Sequence, residues 1–96
     1  MHGEYKMPGG KLIVVDLAIE SGCLARVQVS GDFFLEPDDA LHAIDAALEG
    51  QDAGADEHML AAAIRAQLAP GVMMYGISPE AVAVAVRRAI DQGTEA

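Results

Sequence analysis

Lys11-Leu12-Ile13-Val14-Val15-Asp16-Leu17-Ala18-Ile19-Glu20, followed by Ser21-Gly22 and then Cys23-Leu24-Ala25-Arg26-Val27-Gln28-Val29-Ser30, reads as a β-hairpin. The first run is rich in Val, Ile and Leu, the composition of a strand. Ile13, Val15, Leu17 and Ile19 fall on one face, and Asp16, Ala18 and Glu20 on the other. That alternation suits a sheet with one covered side. Ser21-Gly22 supplies a tight turn, since glycine takes the positive φ that hairpin loops demand. On the return strand Ala25, Val27 and Val29 point one way, Arg26 and Gln28 the other. Gly31-Asp32 reads as a bulge or turn, and Phe33-Phe34-Leu35 opens a third short strand. The expectation is a three-stranded antiparallel meander.

Outside the hairpin, residues 1–10 end in Met7-Pro8-Gly9-Gly10 and read as a flexible lead-in. Downstream the pattern turns helical. Pro37 suits the first turn of a helix, and Asp38 and Asp39 suit its positive end. Leu41, Ile44 and Leu48 form its apolar stripe, and Gly50 stops it. Asp56 caps a second helix with Leu60, Ile64 and Leu68 inward, closed by Pro70-Gly71. Val72 to Ile77 is expected to run extended across the core. Ser78-Pro79-Glu80 is the clearest helix start: a capping hydroxyl, a proline at the first position and an acid at the second. Ala81 to Val86 alternates like a strand, yet that start and the flanking Arg87-Arg88-Ala89-Ile90 favour a helix with Val82, Val86 and Ile90 inward. The fold class is α+β, one domain over residues 1–96, a small three-stranded antiparallel sheet backed by about three helices.

Composition bounds what such a domain does. With 96 residues it buries only about 60–65% of the surface of its unfolded chain. Hydrophobic residues make up 52%, but there are two Phe, two Tyr and no Trp, so the core is thin and a stabilising partner is expected. The formal net charge is -9 and the sequence pI about 4.4. Polyanions repel such a surface, which argues against nucleic acid, and a protein with a basic face is the natural complement. The longest apolar runs fall far short of the roughly 20 residues that span a bilayer. Met1 to Lys6 lacks the apolar stretch of a signal peptide, and the expected location is the cytoplasm.

Little in the sequence points to chemistry. His2, His42 and His58 are too dispersed for a metal site, and no metal ligand is assigned. Cys23 is the single cysteine, without an evident activating neighbour. No Gly-rich loop has the form that cradles phosphates, and no catalytic residue is assigned. The acids read as caps and solubilising groups, and Met59, Met73 and Met74 as core filler. One segment resists a bland reading. In Ser30-Gly31-Asp32-Phe33-Phe34 the two adjacent aromatics face opposite sides of a strand, so both cannot enter one core. One of them meets either a helix on the second face or another protein.

Tyr5-Lys6-Met7-Pro8-Gly9-Gly10-Lys11-Leu12 and Ser30-Gly31-Asp32-Phe33-Phe34-Leu35-Glu36-Pro37, with the Ser78-Pro79-Glu80 helix start, resemble the accessory domain of lipoate–protein ligases. In that family the domain is either a C-terminal extension or a separate small subunit. The resemblance implies a fold similar to the SufE/NifU-like scaffold proteins of iron–sulfur assembly, although those carry several cysteines. It implies a non-catalytic accessory subunit in a heterodimer with the catalytic subunit of a lipoate–protein ligase, supporting ATP-dependent lipoyl-adenylate formation. Lipoate, ATP and Mg2+ are then expected on the partner and no cofactor on this chain, with the lipoyl acceptor domain met only indirectly. Gly31, Asp32, Phe33 and Phe34 are placed at the partner interface, with Lys6 and Lys11 as polar partners there. The alternatives are a stand-alone sulfur or thiol carrier working through Cys23, and an interaction module with another partner.

Overall fold

The computed structural model describes residues 1–93 of the chain. Strands β1 (His2–Lys6), β2 (Leu12–Glu20) and β3 (Cys23–Gly31) form an antiparallel meander in the order β1-β2-β3. A second, two-stranded ribbon pairs β4 (Phe34–Glu36) with β5 (Met73–Tyr75). The helices are α1 (Ala40–Leu48), α2 (Glu57–Gln67) and α3 (Pro79–Gly93). Helix α3 packs on β1 and β2, α1 packs on β3, and α2 packs on both helices. Among the described residues this is the expected α+β arrangement of three antiparallel strands and three helices.

The identity of the third strand differs from expectation. Residues 2–6, read as part of a flexible lead-in, are an edge strand in register with β2, from His2 opposite Asp16 to Lys6 opposite Leu12. Met7-Pro8-Gly9-Gly10 is the connection between those strands, closed by the Gly10 N–H donating to the Met7 carbonyl at 2.8 Å. Phe34–Glu36 leaves the meander and pairs with β5 instead. Nor does the stretch from Val72 to Ile77 cross the core: Met73 and Tyr75 are exposed, and only Ile77 at its end is buried.

The β2–β3 hairpin turns as expected, with both Ser21 (φ 55°) and Gly22 (φ 79°) in the left-handed region. Ile13, Val15 and Leu17 are buried. The parity of β3 changes partway. Asp16 faces Gln28 but Ala18 faces Ala25, so Leu17 alone opposes both Arg26 and Val27. This is a β-bulge, and Arg26 takes φ 52° to form it. Leu24 and Val27 are consequently both buried, and Ala25, expected inward, is only partly covered.

Helix α1 begins three residues later than Pro37 suggests. Asp39 stands at its N-cap without a side-chain cap bond, and Ala40, Ile44, Ala47 and Leu48 are buried. The other two starts follow their capping residues. Asp56 accepts from the Met59 N–H at 2.8 Å, and Ser78 Oγ accepts from the Ala81 N–H at 3.1 Å. Val82, Val86 and Ile90 point into the core. Alanine at 81, 85 and 89 lets α3 lie close on the sheet, which is how a chain poor in aromatics still packs. Met59 and Met73, read as core filler, are at least half exposed.

Two acids do more than solubilise. The outer edge of β3 would present unpaired N–H groups to solvent. Asp45 on α1 accepts from the Val29 N–H at 3.0 Å, and Glu49 just beyond it accepts from the Arg26 and Val27 N–H groups. Burial pushes the Asp45 carboxyl above its ordinary value, against the pull of the Val29 N–H. A carboxyl raised in the folded state binds more protons there than when unfolded. Its contribution to stability therefore falls as pH rises through the ordinary value to the raised one, and stays lowered above that. Asp45→Asn keeps an acceptor oxygen without the charge. It should be neutral or modestly stabilising at pH 7 relative to the parent, with that advantage gone near pH 3, as thermal melts at the two pH values would show.

Candidate functional site

The six residues singled out from the sequence lie along one end of the molecule. Lys6 pairs with Leu12, Gly31 pairs with Ile13, and the Asp32 N–H points to the Leu12 carbonyl at 3.4 Å. The loop joining β1 to β2 therefore sits beside the exit from β3. From that exit the chain passes through Phe33 into the β4–β5 ribbon.

Their roles separate. Gly31 is there for space, because an added Cβ would lie 2.1 Å from the Leu12 carbonyl oxygen. Phe33 is half-buried, packed against the core beside Leu41. Phe34, its neighbour on the opposite side, is 69% exposed. The parity argument holds, and the aromatic left outside is Phe34. Asp32, Lys6 and Lys11 are exposed.

The structure adds residues that sequence reasoning did not place here. Phe34 lies directly opposite Tyr75, and Glu36 opposite Met73, so the four share the outer face of the ribbon. Tyr75 is 45% and Met73 50% exposed. The inner face carries Leu35, buried, and Met74, partly covered. No local signal pairs Phe34 with Tyr75, because their register depends on two short strands far apart in sequence. Between Phe34 and α1 a shallow depression is lined by Phe33, Leu35, Asp38 and Leu41. Phe34, Tyr75 and Met73 thus form a contiguous apolar ridge with acids beside it, a surface suited to contact rather than to chemistry.

The same end holds unusual cations. Arg26 pairs with Glu20, Arg65 with Glu80, and Arg87 with the Ala53 and Ala55 carbonyls and Asp91. Arg88 donates to the Glu4 carbonyl and lies 4.9 Å over the Tyr5 ring. Lys6 and Lys11 are the two remaining basic side chains of the six Lys and Arg, and neither makes a hydrogen bond or ion pair among the described residues. Lys11 is tied to the ribbon: its N–H donates to the Gly76 carbonyl at 3.3 Å, and its stem covers Gly76, where an added Cβ would lie 2.5 Å from Lys11 Cγ.

Cys23 lies elsewhere, half-buried at the start of β3 and bridged through its backbone to Asp52. Among the described residues no basic side chain hydrogen-bonds to it. Cys23→Ser should be nearly silent in a thermal melt, shifting the melting temperature by no more than a few degrees, since the half-buried thiol is replaced by a side chain of similar size. Among the described residues no group of three or more His, Cys, Asp or Glu is placed to hold a metal ion, and no helix is long and apolar enough to cross a membrane.

No family model matches the chain, and no curated protein matches it. Among solved structures, it is similar to a chain of an archaeal lipoylation system from Thermoplasma acidophilum, described as a bipartite lipoate protein ligase and its E2 lipoyl domain. The two are 28% identical and superpose with a TM-score of 0.65, over 91% of this chain and 98% of the other. The likeness to SufE/NifU-like scaffold proteins finds no confirmation in these comparisons. The resemblance to lipoate–protein ligase accessory domains, carried in the sequence by two short stretches and the Ser78-Pro79-Glu80 helix start, is supported by this structural match over 91% of the chain.

Proposed function

We propose that this chain is the accessory subunit of a two-part lipoate–protein ligase, docking through the outer face of the β4–β5 ribbon on a separate catalytic subunit. The observation that carries this reading is the exposed Phe34–Tyr75 pair, on a chain that matches a component of a bipartite ligase system across nearly its full length. The reaction class defines the help such a subunit gives. The lipoate carboxylate attacks the α-phosphorus of ATP, expelling pyrophosphate and forming a mixed anhydride. A lysine amine of the acceptor domain then attacks the anhydride carbonyl and expels AMP. Lipoate, ATP and Mg2+ belong to the catalytic subunit in this scheme.

A docked domain can accelerate the first step without donating a catalytic group. Seated at the mouth of the partner's site, it would keep carboxylate and phosphorus aligned. It also excludes water that would hydrolyse the anhydride. An apolar ridge on a hydrogen-bonded ribbon is suited to both tasks.

Mixing the purified chain with the catalytic chain of a bipartite ligase should give a complex and raise lipoyl-adenylate formation. The chain by itself should neither form lipoyl-adenylate nor bind ATP. Micromolar ATP binding to the isolated chain in calorimetry, or a catalytic chain indifferent to its addition, would overturn the reading.

A further inference from the structure

Among the described residues Lys6 and Lys11 pair with no carboxylate, on a chain whose formal net charge is -9. The four arginines are all engaged within the fold, so among the described residues these lysines carry the uncommitted positive charge. Both flank the β1–β2 connection, and Lys11 is fastened to Gly76, next to Tyr75. Positive charge therefore adjoins the apolar ridge on one side, with the exposed Asp32 of the β3 exit beside the same loop. On the other side stand carboxylates: Glu36 shares the ridge face with Phe34, and Asp38 lines the depression beside it.

We infer that the Lys6–Lys11 loop is an orienting element of the docking surface, and that the partner is a protein presenting an acidic spot opposite it within a generally basic face. This rests on the function proposed above. A surface of -9 attracts a basic face in many orientations, because the long-range field carries little directional information. A local patch of opposite sign removes that degeneracy. It is repelled by the basic parts of the partner and accepted only where an acidic group meets it, so it sets register more than affinity. A second copy of the chain is a poor occupant, because two bodies of the same large negative charge repel.

The test compares two variants that alter net charge equally. Lys6→Gln/Lys11→Gln removes two positive charges beside the ridge. Ala46→Glu/Ala62→Glu adds two negative charges at exposed helix positions outside the ribbon. Binding to the catalytic chain of a bipartite ligase is measured at low and moderate salt, with thermal melts as the folding control. The lysine variant should bind at least fivefold more weakly than the parent, and the helix variant as tightly or more tightly. If both variants tighten binding alike, net charge alone governs docking and the orienting role is overturned, while the proposed function stands. If the parent forms no complex with the ligase chain, the function reading fails and the inference with it. A parent chain that sediments as a dimer, and becomes a monomer on Phe34→Ala, would assign the ridge to a second copy and overturn the inference as well.

Discussion

Gly3→Ala should destabilise the protein by about 3 kcal/mol or more, at the upper end of what overpacking costs. Gly3 is the second residue of β1, on the side facing α3. A Cβ there would lie 2.4 Å from both the Ala85 carbonyl oxygen and the Ala89 nitrogen, and 2.8 Å from the Ala89 Cα. All three are backbone atoms of a helix, so no side chain can rotate away to make room. Either β1 separates from β2 or α3 lifts off the sheet. Lifting α3 also loosens the Arg88 bond to the Glu4 carbonyl and its stacking over Tyr5. In a domain of this size 1 kcal/mol corresponds to roughly 4–8 °C, so the melting temperature should fall by more than about 12 °C. Gly9→Ala is the control. Its Cβ meets nothing within 4 Å, and the change carries only the about 1–2 kcal/mol of a left-handed φ. Should the two variants melt together, the close approach of α3 to β1 is wrong.

The same glycine explains why β1 escaped sequence reading. A strand announces itself by apolar side chains at alternate positions. In His2-Gly3-Glu4-Tyr5-Lys6 the inward positions are Gly3 and Tyr5, and the first has no side chain to detect. The apolar material that fills its place is the backbone of α3, contributed from the other end of the sequence. The bulge in β3 was hidden for a different reason. Alternation fixes parity only until an extra residue is inserted, and nothing in Ala25-Arg26-Val27 marks where Arg26 leaves the ladder. By contrast, β2, the Ser21-Gly22 turn and the capped starts of α2 and α3 were legible, because each depends on near neighbours. For the candidate site, parity alone established that Phe33 and Phe34 part company. Which one stays outside required the ribbon, and so did the company of Tyr75 and Met73. The methionines misled because composition places Met in cores, whereas its flexible side chain serves exposed contact surfaces equally well.

The second large effect is expected at Phe34, and it should appear in association rather than in folding. With 69% of its surface in water, Phe34 stabilises the free chain little, so Phe34→Ala should shift the melting temperature by no more than a few degrees. As an aromatic anchor it should weaken binding to the catalytic subunit by about 2 kcal/mol or more, roughly thirtyfold in Kd. Phe33→Ala provides the opposite pattern. A fully buried Phe→Ala costs about 3–5 kcal/mol. Phe33 is only half-buried, so a loss near 2 kcal/mol of stability is expected, with a smaller direct effect on association. Asp32→Ala should leave stability almost unchanged, since this exposed side chain makes no hydrogen bond or ion pair among the described residues. If the β3 exit lies against the catalytic subunit, that variant should slow lipoyl-adenylate formation more than transfer from ready-made lipoyl-adenylate, because only the first step needs the site closed around ATP and lipoate. Melts, binding isotherms and the two half-reactions on these three variants discriminate the outcomes. Three variants that bind the ligase chain and support adenylation like the parent would move the docking surface away from the ribbon. A Phe34→Ala protein that melts far below the parent would mean instead that the ridge is packed within the fold, and that its exposure is not what brings a partner to this end of the molecule.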